Sequence, residues 1–312
     1  MHSTASFLIM RTSSGSDPTT ERTDMATQRP VVSVSPNNPV FDLPIYVARD
    51  EGLFEQAGIE VRFQAKYSQR NASDKDAFAR LKESLFESGK ADVYNLCEWA
   101  GIDRSERSHR GAQVLALRPA VGAQAILSFD AALQEPRDLA GVAVGVNERT
   151  GSHYTTLQSL EGALAREDIV VEHVGVPERR YEALKGGEIR AAAVMEPFIS
   201  LGLKEGAHLV DVTFYRGAEV IAPGLTNEQR AAYLDAINQA AERIMADFGK
   251  YKHYVTEQTK GRLAPQEMSD HFVRYTHYVV YNPKRFEQVY GWMRSWGLAS
   301  GKASHAAVVA TF

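Results

Sequence analysis

The residues best suited to chemistry in this sequence are residues 145–154, which read GVNERTGSHY. An apolar segment precedes them and a helical pattern follows, so they predict a strand, a turn and the start of a helix. The first backbone N–H groups of a helix have no partner inside the helix and attract anions. Gly151 allows a ligand to approach closely, and Thr150 and Ser152 add hydroxyls. Arg149 adds a guanidinium suited to an oxyacid, so these residues predict one wall of an anion site. The alternative interpretation is an ordinary capped turn with a surface arginine.

Composition and charge restrict the classes of function. The chain has 312 residues, of which 44% are hydrophobic and 24% are charged, as is typical of a globular protein. The net charge of -4 shows no basic excess, so we expect no nucleic-acid partner. Cys97 is the single cysteine of the sequence, which excludes an intramolecular disulfide and a multi-cysteine metal site. His153 has no second ligand at metal-binding spacing, so we expect no metal.

The N-terminal residues determine the expected location. Residues 1–30 are rich in serine and threonine, and we expect them to form a disordered leader. Residues 7–10 form their one apolar patch, which is shorter than the ~7–15 residues of a secretory signal. No apolar run reaches the ~18–20 residues that span a bilayer, so we expect no membrane span. As written, the sequence predicts a cytoplasmic protein, and a misannotated N-terminus leaves a periplasmic or cell-surface location open. Met25, just before the first strand pattern, could be the true start.

Strand and helix patterns alternate up to about residue 215, and helical patterns dominate afterwards. Apolar residues predict separate strands at residues 114–117, 124–129 and 209–214. Thr226 and Gln229 form a capping-box pattern at the start of a long helix, and Pro265 is predicted to open a further helical segment. This order predicts an α/β fold with mostly parallel sheets and a helical C-terminal part. No glycine-rich phosphate loop, G-x-S-x-G or C-x-x-C motif occurs, so we expect no cofactor.

Reactive and polar residues follow several predicted strands. In open α/β sheets, ligands bind beyond the carboxyl ends of the strands. The candidates at such ends are, besides residues 147–153, Asn37, Asn38 and Phe41 after the first strand, Cys97, Glu98 and Trp99 after another, and Glu196 before Pro197.

Several segments follow one another in a characteristic order and spacing. They are residues 44–54 (PIYVARDEGLF), 57–61 (AGIEV), 89–93 (GKADV), 138–141 (DLAG), 151–154 (GSHY), 181–184 (YEAL), 187–191 (GEIRA) and 195–197 (MEP). Together they resemble the periplasmic solute-binding proteins of the nitrate/sulfonate/taurine type, a group that includes the thiamine-pyrimidine synthase relatives. The resemblance covers about residues 31–250. The family usually has aspartate where Arg190 stands.

The resemblance implies a two-lobed, type II periplasmic-binding-protein-like fold. Lobe one would comprise residues 31–120 and 216–312, and lobe two residues 121–215. Two crossover strands would join the lobes, which would close on a ligand like a hinged trap.

The resemblance also implies roles for the candidate residues. The ligand-binding set would be Asn37, Asn38, Phe41, Glu98, Arg149, Thr150, Gly151, Ser152, His153 and Glu196. Turn formation, core packing or surface charge is the alternative for the first four, and pairing with Arg149 or a structural role is the alternative for Glu196. Trp99 could stack on a ring, although core packing is favoured. Cys97 and His153 would be catalytic only in an enzyme, and a lone cysteine is more often a small buried hydrophobe.

Two functions follow from this resemblance. The first is the substrate-binding component of an ABC-type uptake system, which binds a small anionic or ring-containing organic solute and meets an ABC permease. The alternative is a cytoplasmic enzyme on the same scaffold, a decarboxylase, desulfinase or pyrimidine-synthase-like protein acting on an aromatic or heterocyclic acid. The missing export signal favours the enzyme. However, a desulfinase-like pattern needs a cysteine where residues 35–38 read SPNN, and the cysteine-rich motif of the pyrimidine synthases is absent. We therefore favour the binding protein.

Overall fold

The computed structural model describes residues 1–2, 29–66 and 77–311. Its strands are β1 Val31–Ser35, β2 Glu60–Phe63, β3 Val93–Cys97, β4 Gln113–Ser128, β5 Ala143–Val146, β6 Val170–His173, β7 Ala191–Val194, β8 His208–Ile221 and β9 Val273–Tyr275. Its α-helices are α1 Pro39–Asp50, α2 Leu53–Gln56, α3 Ala77–Glu87, α4 Glu98–Arg107, α5 Gly151–Glu161, α6 Pro177–Lys185, α7 Phe198–Lys204, α8 Asn227–Ala246, α9 Lys252–Thr256, α10 Pro283–Ser295 and α11 His305–Val308. The predicted leader lies outside the described residues, apart from residues 1–2 and 29–30.

These strands form one sheet in the order β2-β1-β3-β8-β4-β7-β5-β6, and β9 pairs with β4. Near one end β1 runs parallel to β2 and β3, and near the other end β5 runs parallel to β6 and β7. In the middle, β8 is antiparallel to β3 and β4, and β4 is antiparallel to β7. The predicted α/β fold is confirmed, whereas its parallel pairing is confined to the two end groups. The centre is antiparallel because β4 and β8 cross between these groups in opposite directions.

The two crossing strands are longer than the sequence pattern indicates. Residues 114–117 and 124–129, predicted as separate strands, lie almost entirely within β4, and residues 209–214 are the first part of β8. Between the two parts of β4, Pro119 has no N–H to donate, and the pairing register with β8 shifts between Leu117 and Val121. The predicted lobe boundaries fall inside β4 and β8, and the division into lobes stays a prediction.

Capping residues explain where several helices begin. Asn38 caps α1, because its Oδ1 accepts the Val40 N–H at 3.0 Å. The capping box of Thr226 and Gln229 at the start of α8 is confirmed. The predicted helix at Pro265 is wrong: only a single 3₁₀ turn forms at Pro265–Glu267, and the chain then pairs with β4 as β9.

In the part of the chain that the structure describes, no helix is long and apolar enough to cross a membrane.

Helix α10 is joined to the C-terminal end of α5 by polar and aromatic contacts. The indole N–H groups of Trp292 and Trp296 donate to Glu161 Oε2 at 2.8 and 3.0 Å. The Arg166 guanidinium lies over the Trp296 ring, 4.4 Å from its centroid, and donates to the Ser295 carbonyl at 2.7 Å. The C-terminal helices therefore support the helix whose first residues were predicted to bind an anion.

A buried ion network connects α1, β4 and β8. Arg118, Asp42 and Glu219 have fully buried side chains. Arg118 Nη1 donates to Asp42 Oδ1 at 2.9 Å, and its Nε lies 3.1 Å from Glu219 Oε2, an ion pair without hydrogen-bond alignment. Tyr233 Oη donates to Glu219 Oε1 at 3.1 Å. Burial raises the pKa of Asp42 and raises that of Glu219 to about 7, and the Arg118 guanidinium opposes both shifts by favouring the charged carboxylates.

Replacing Arg118 should therefore destabilise the fold strongly. Arg118→Met leaves two buried carboxylates without their cation, and we expect the free energy of unfolding to fall by about 3–5 kcal/mol. Urea denaturation near neutral pH measures this change. As a control, Arg190→Met breaks the exposed ion pair with Asp130 and should cost less than about 1 kcal/mol. Equal losses in the two variants would contradict the assigned role of the network.

Candidate ligand-binding site

A cavity lies where the parallel strands of both end groups terminate. Residues that follow β1, β3, β5, β6 and β7 all contribute to its wall, as the strand-end rule predicts. Its volume is about 90 Å³. Because one water needs roughly 10–15 Å³ by the same measure, the cavity can hold a small organic molecule.

Three predicted residues after β1 line this cavity. Asn37 Nδ2 donates to the Asn95 carbonyl at 3.1 Å, while the Asn38 carboxamide caps α1 and donates to Gln258 Oε1 at 3.2 Å. The Phe41 ring forms an apolar part of the wall. It packs against Gly122, where a Cβ atom would lie 2.8 Å from the ring, so only glycine fits there.

The start of α5 contributes Thr150, Gly151 and Ser152 to the wall. Thr150 Oγ1 donates to the Asn147 carbonyl at 2.7 Å, and Ser152 Oγ accepts the Asn147 N–H at 2.9 Å. At Gly151, a Cβ atom would lie 2.5 Å from Tyr215 Oη. Glycine is therefore required for the contact between this helix end and the tyrosine. The first residues of α5 thus line this part of the cavity, where a helix start carries a partial positive charge.

Arg149 and His153, predicted in the same set, do not line the cavity. Arg149 has left-handed backbone (φ 54°), and its Nη1 lies 3.6 Å from Asp103 Oδ1 of α4. Its N–H donates to His153 Nδ1 at 3.1 Å. Burial lowers the pKa of His153, so its imidazole is neutral near pH 7. The Arg149 guanidinium thus pairs with Asp103, and the His153 ring accepts a hydrogen bond from the Arg149 backbone, so both side chains have partners away from the cavity.

The residues after β3 divide between the cavity and the core. Cys97 lines the cavity and caps α4, because its Sγ accepts the Ala100 N–H at 3.4 Å. Burial raises the pKa of its thiol to about 12, which opposes a nucleophilic role. Glu98 lies outside the cavity, where Arg285 donates to both of its carboxylate oxygens at 2.6 and 2.5 Å. Trp99 is buried and stacks on Tyr154, in agreement with core packing.

Glu196 also lies outside the cavity, whose wall instead contains the preceding Met195. The Glu196 carboxylate accepts the Ser200 hydroxyl at 2.6 Å and the Ser200 N–H at 3.1 Å. Burial raises its pKa to about 7. These contacts give Glu196 a structural role at the start of α7, which is one of the two alternatives that the sequence left open.

The wall contains two basic residues that sequence reasoning missed. Lys82 is buried and donates from Nζ to the Asn95 carbonyl at 3.1 Å; burial lowers its pKa to about 8. Arg180 is buried and donates to the Ala193 carbonyl at 2.6 Å and to the Gly175 carbonyl. Within the described residues, no aspartate or glutamate lines the cavity. The strand-end rule, applied to the residues after β6, would have found Arg180.

Two further polar residues belong to the wall: Gln124, which was missed within a predicted strand, and Asn147, which lies in the predicted candidate stretch 147–153 but was not assigned to the ligand. Gln124 on β4 lines the cavity with 3% of its surface exposed, and Asn147 follows β5. Both amide atoms of Gln124 and Oδ1 of Asn147 have no hydrogen-bond partner among the described residues. No group of three His, Cys, Asp or Glu side chains in the described ranges could hold a metal ion.

Comparisons with known proteins support the fold. No protein-family model matches this sequence, and no curated protein matches it. Among solved structures, the periplasmic aliphatic sulphonate binding protein SsuA from Escherichia coli is 15% identical, with a TM-score of 0.70 over 90% of this chain and 97% of that one. The alkanesulfonate-binding protein SsuA from Xanthomonas axonopodis pv. citri, bound to MOPS, is 14% identical, with a TM-score of 0.69 over 89% and 97%. This chain has the periplasmic-binding-protein fold.

The same fold also occurs in an enzyme. The desulfurization enzyme DSZB is 15% identical to this chain, with a TM-score of 0.60 over 90% of this chain and 96% of the enzyme. At these identities the periplasmic-binding-protein fold is what the likeness shows, and the choice between binding and catalysis depends on the site itself.

Burial of Glu196 in this periplasmic-binding-protein fold should make stability depend on pH. Its folded-state pKa of about 7 is above the usual 4.5, so its contribution to stability is fully present below about pH 4.5 and is lost as the pH rises through 7. The contribution amounts to about 3 kcal/mol. We expect the Glu196→Gln protein to be no more stable than the native protein near pH 5. Near pH 8 we expect it to be more stable than the native protein. Urea denaturation at both pH values measures this crossover, and parallel stability profiles would contradict it.

Proposed function

We propose that this protein binds a small organic anion in the cavity, through an oxyanion head group such as a sulfonate or carboxylate, as the substrate-binding component of an ABC-type uptake system. One observation carries the proposal: Lys82 and Arg180 are buried in the cavity wall, and none of the described wall residues is acidic. A positive charge in the wall of a cavity attracts an anionic ligand, and this attraction is stronger in a poorly hydrated site than in bulk water.

The other groups of the wall fit the same ligand class. The start of α5 adds backbone N–H groups and a partial positive charge, and Thr150 and Ser152 add hydroxyls. Phe41, Val176 and Met195 provide an apolar part of the wall for the organic portion of the ligand. The proposed site thus combines cationic side chains with an apolar surface.

The descriptions of several structural neighbours support the uptake role. Two SsuA proteins are described as binding sulfonates, and a further neighbour from Staphylococcus aureus is described as the ligand-binding component of an ABC-type import system. We extend this role to the present chain and expect an ABC permease as its partner. The two predicted lobes, joined by β4 and β8, would close on the solute.

Replacing Lys82 should weaken anion binding. Lys82→Met removes a buried cation, and we expect the affinity for propanesulfonate, MOPS or benzoate, whichever the native protein binds, to fall about 10- to 100-fold. Isothermal titration calorimetry in a buffer without organic acids measures the change. The control Lys90→Met removes an exposed lysine beyond α3 and should leave affinity within about twofold. Failure of the native protein to bind any organic anion would refute the proposed function.

Anion binding should also depend on pH through Lys82. The charged and titratable groups that act on it are Asp42, Cys97, Arg104 and Arg118. Because Lys82 loses its proton near pH 8, affinity should be constant below about pH 7 and fall by up to tenfold per pH unit above 8. Cys97, with a pKa of about 12, stays protonated over this range. The same titrations with Lys82→Met should give affinity that no longer falls with pH, and an unchanged pH profile would exclude Lys82 from the site.

The enzyme alternative depends on Cys97 being reactive. A thiol with a pKa of about 12 should react with iodoacetamide near neutral pH at least ~100-fold more slowly than glutathione. Mass spectrometry measures the labelling, and it also detects whether a bound ligand is recovered unchanged after incubation. Rapid labelling together with a chemically altered ligand would favour the enzyme over the binding protein.

A further inference from the structure

Gln124 is the one wall residue whose entire side-chain amide lacks partners within the described part of the chain. It is 97% buried on β4, and neither its Oε1 nor its Nε2 has a hydrogen-bond partner there. A buried amide without partners is unfavourable, because the group gives up its hydrogen bonds to water and gains none in return. In the wall of a cavity, a ligand that fills the cavity can complete the hydrogen bonding of such a group.

Two further amides show the same incomplete bonding. Asn95 Nδ2 donates to Asp42 Oδ1 at 2.8 Å, which fixes the orientation of the amide and leaves Asn95 Oδ1 without a partner. This oxygen would lie 3.1 Å from a Cβ atom at Gly217, so the glycine keeps the space beside it open. Asn147 Oδ1 is likewise unpartnered, although its backbone N–H and C=O bond to Ser152 and Thr150. Hydrogen-bond acceptors therefore stand in the wall alongside its cations.

We infer that the ligand carries, besides its anionic group, a second polar group that both donates and accepts hydrogen bonds, a hydroxyl or an amide, which pairs with Gln124. This inference rests on the proposed function, since it concerns the same cavity. A simple apolar acid would leave both Gln124 atoms unpartnered, whereas a hydroxy acid or an amide-bearing acid would satisfy them. The predicted substrate class is thus small hydroxylated or amidated organic acids rather than plain alkyl acids.

Matched pairs of probes test this substrate class. Isethionate and propanesulfonate differ by a hydroxyl in place of a methyl group, as do lactate and isobutyrate. Succinamate and 4-methylpentanoate differ by an amide in place of an isopropyl group. A site built to hydrogen-bond a ligand rejects the analogue that lacks the group. We expect the polar member of at least one pair to bind more than about tenfold tighter in calorimetric titrations of the full chain.

A variant assigns the discrimination to Gln124. Gln124→Met keeps a similar volume but removes both amide atoms, so the preference within the pair should fall to less than about twofold while the apolar member keeps or gains affinity. Thermal denaturation verifies that the variant is folded. Gln239→Met, on the exposed face of α8, is the control and should keep the full preference.

The outcomes separate this inference from the proposed function. If no member of any pair binds, and neither MOPS nor benzoate binds, both fail. If the members of each pair bind equally, or the apolar member binds better, anion binding stands and the inferred substrate class is wrong. A polar preference that persists in folded Gln124→Met overturns the role of Gln124. A preference that is present in the native protein and lost in Gln124→Met supports the inference.

Discussion

The ion pairing of Arg118 with Asp42 and Glu219 is the interaction on which both the sheet and the site depend. It joins the first helix to the two crossing strands at a position without access to water. The same Asp42 carboxylate also accepts the Asn37 N–H at 2.5 Å and the Asn95 Nδ2 at 2.8 Å, and both residues line the cavity. The buried Asp42 carboxylate therefore connects the centre of the fold to two residues of the cavity wall and orients the Asn95 carboxamide. A carboxylate in this position is tolerated only because the guanidinium beside it is equally buried.

This arrangement places charges of alternating sign behind the cavity wall. Arg118 and its two carboxylates are fully buried. The Asp42 carboxylate favours the protonated form of Lys82, whereas burial favours the neutral form. The charge of Lys82 in the proposed site thus depends on groups that do not line the cavity.

Sequence patterns predicted the positions of strand ends better than the direction of side chains. Asn37 and Phe41 after β1 and the start of α5 after β5 line the cavity, because parallel strands bring such residues to one edge of the sheet. Glu98 and Glu196 follow strands equally closely, yet partners bind them away from the cavity. For Glu98 this partner is Arg285, which is 187 residues away in sequence, so local sequence patterns cannot identify the pair. Lys82 and Gln124 were missed because an amphipathic helix and an alternating strand account for them without any reference to a ligand.

Helix α5 begins at the cavity and ends at Glu161, to which two tryptophans donate their indole N–H groups. The ring centroids of Trp99 and Trp292 are 6.4 Å apart, and those of Trp292 and Trp296 are 6.3 Å apart. The three tryptophans of the sequence therefore form one continuous group beside this helix. A displacement of α5 on ligand binding would change the surroundings of these indoles. The intrinsic fluorescence of the unlabelled protein therefore reports on α5 along its length, from Trp99 against Tyr154 near its start to Trp296 against Glu161 at its end.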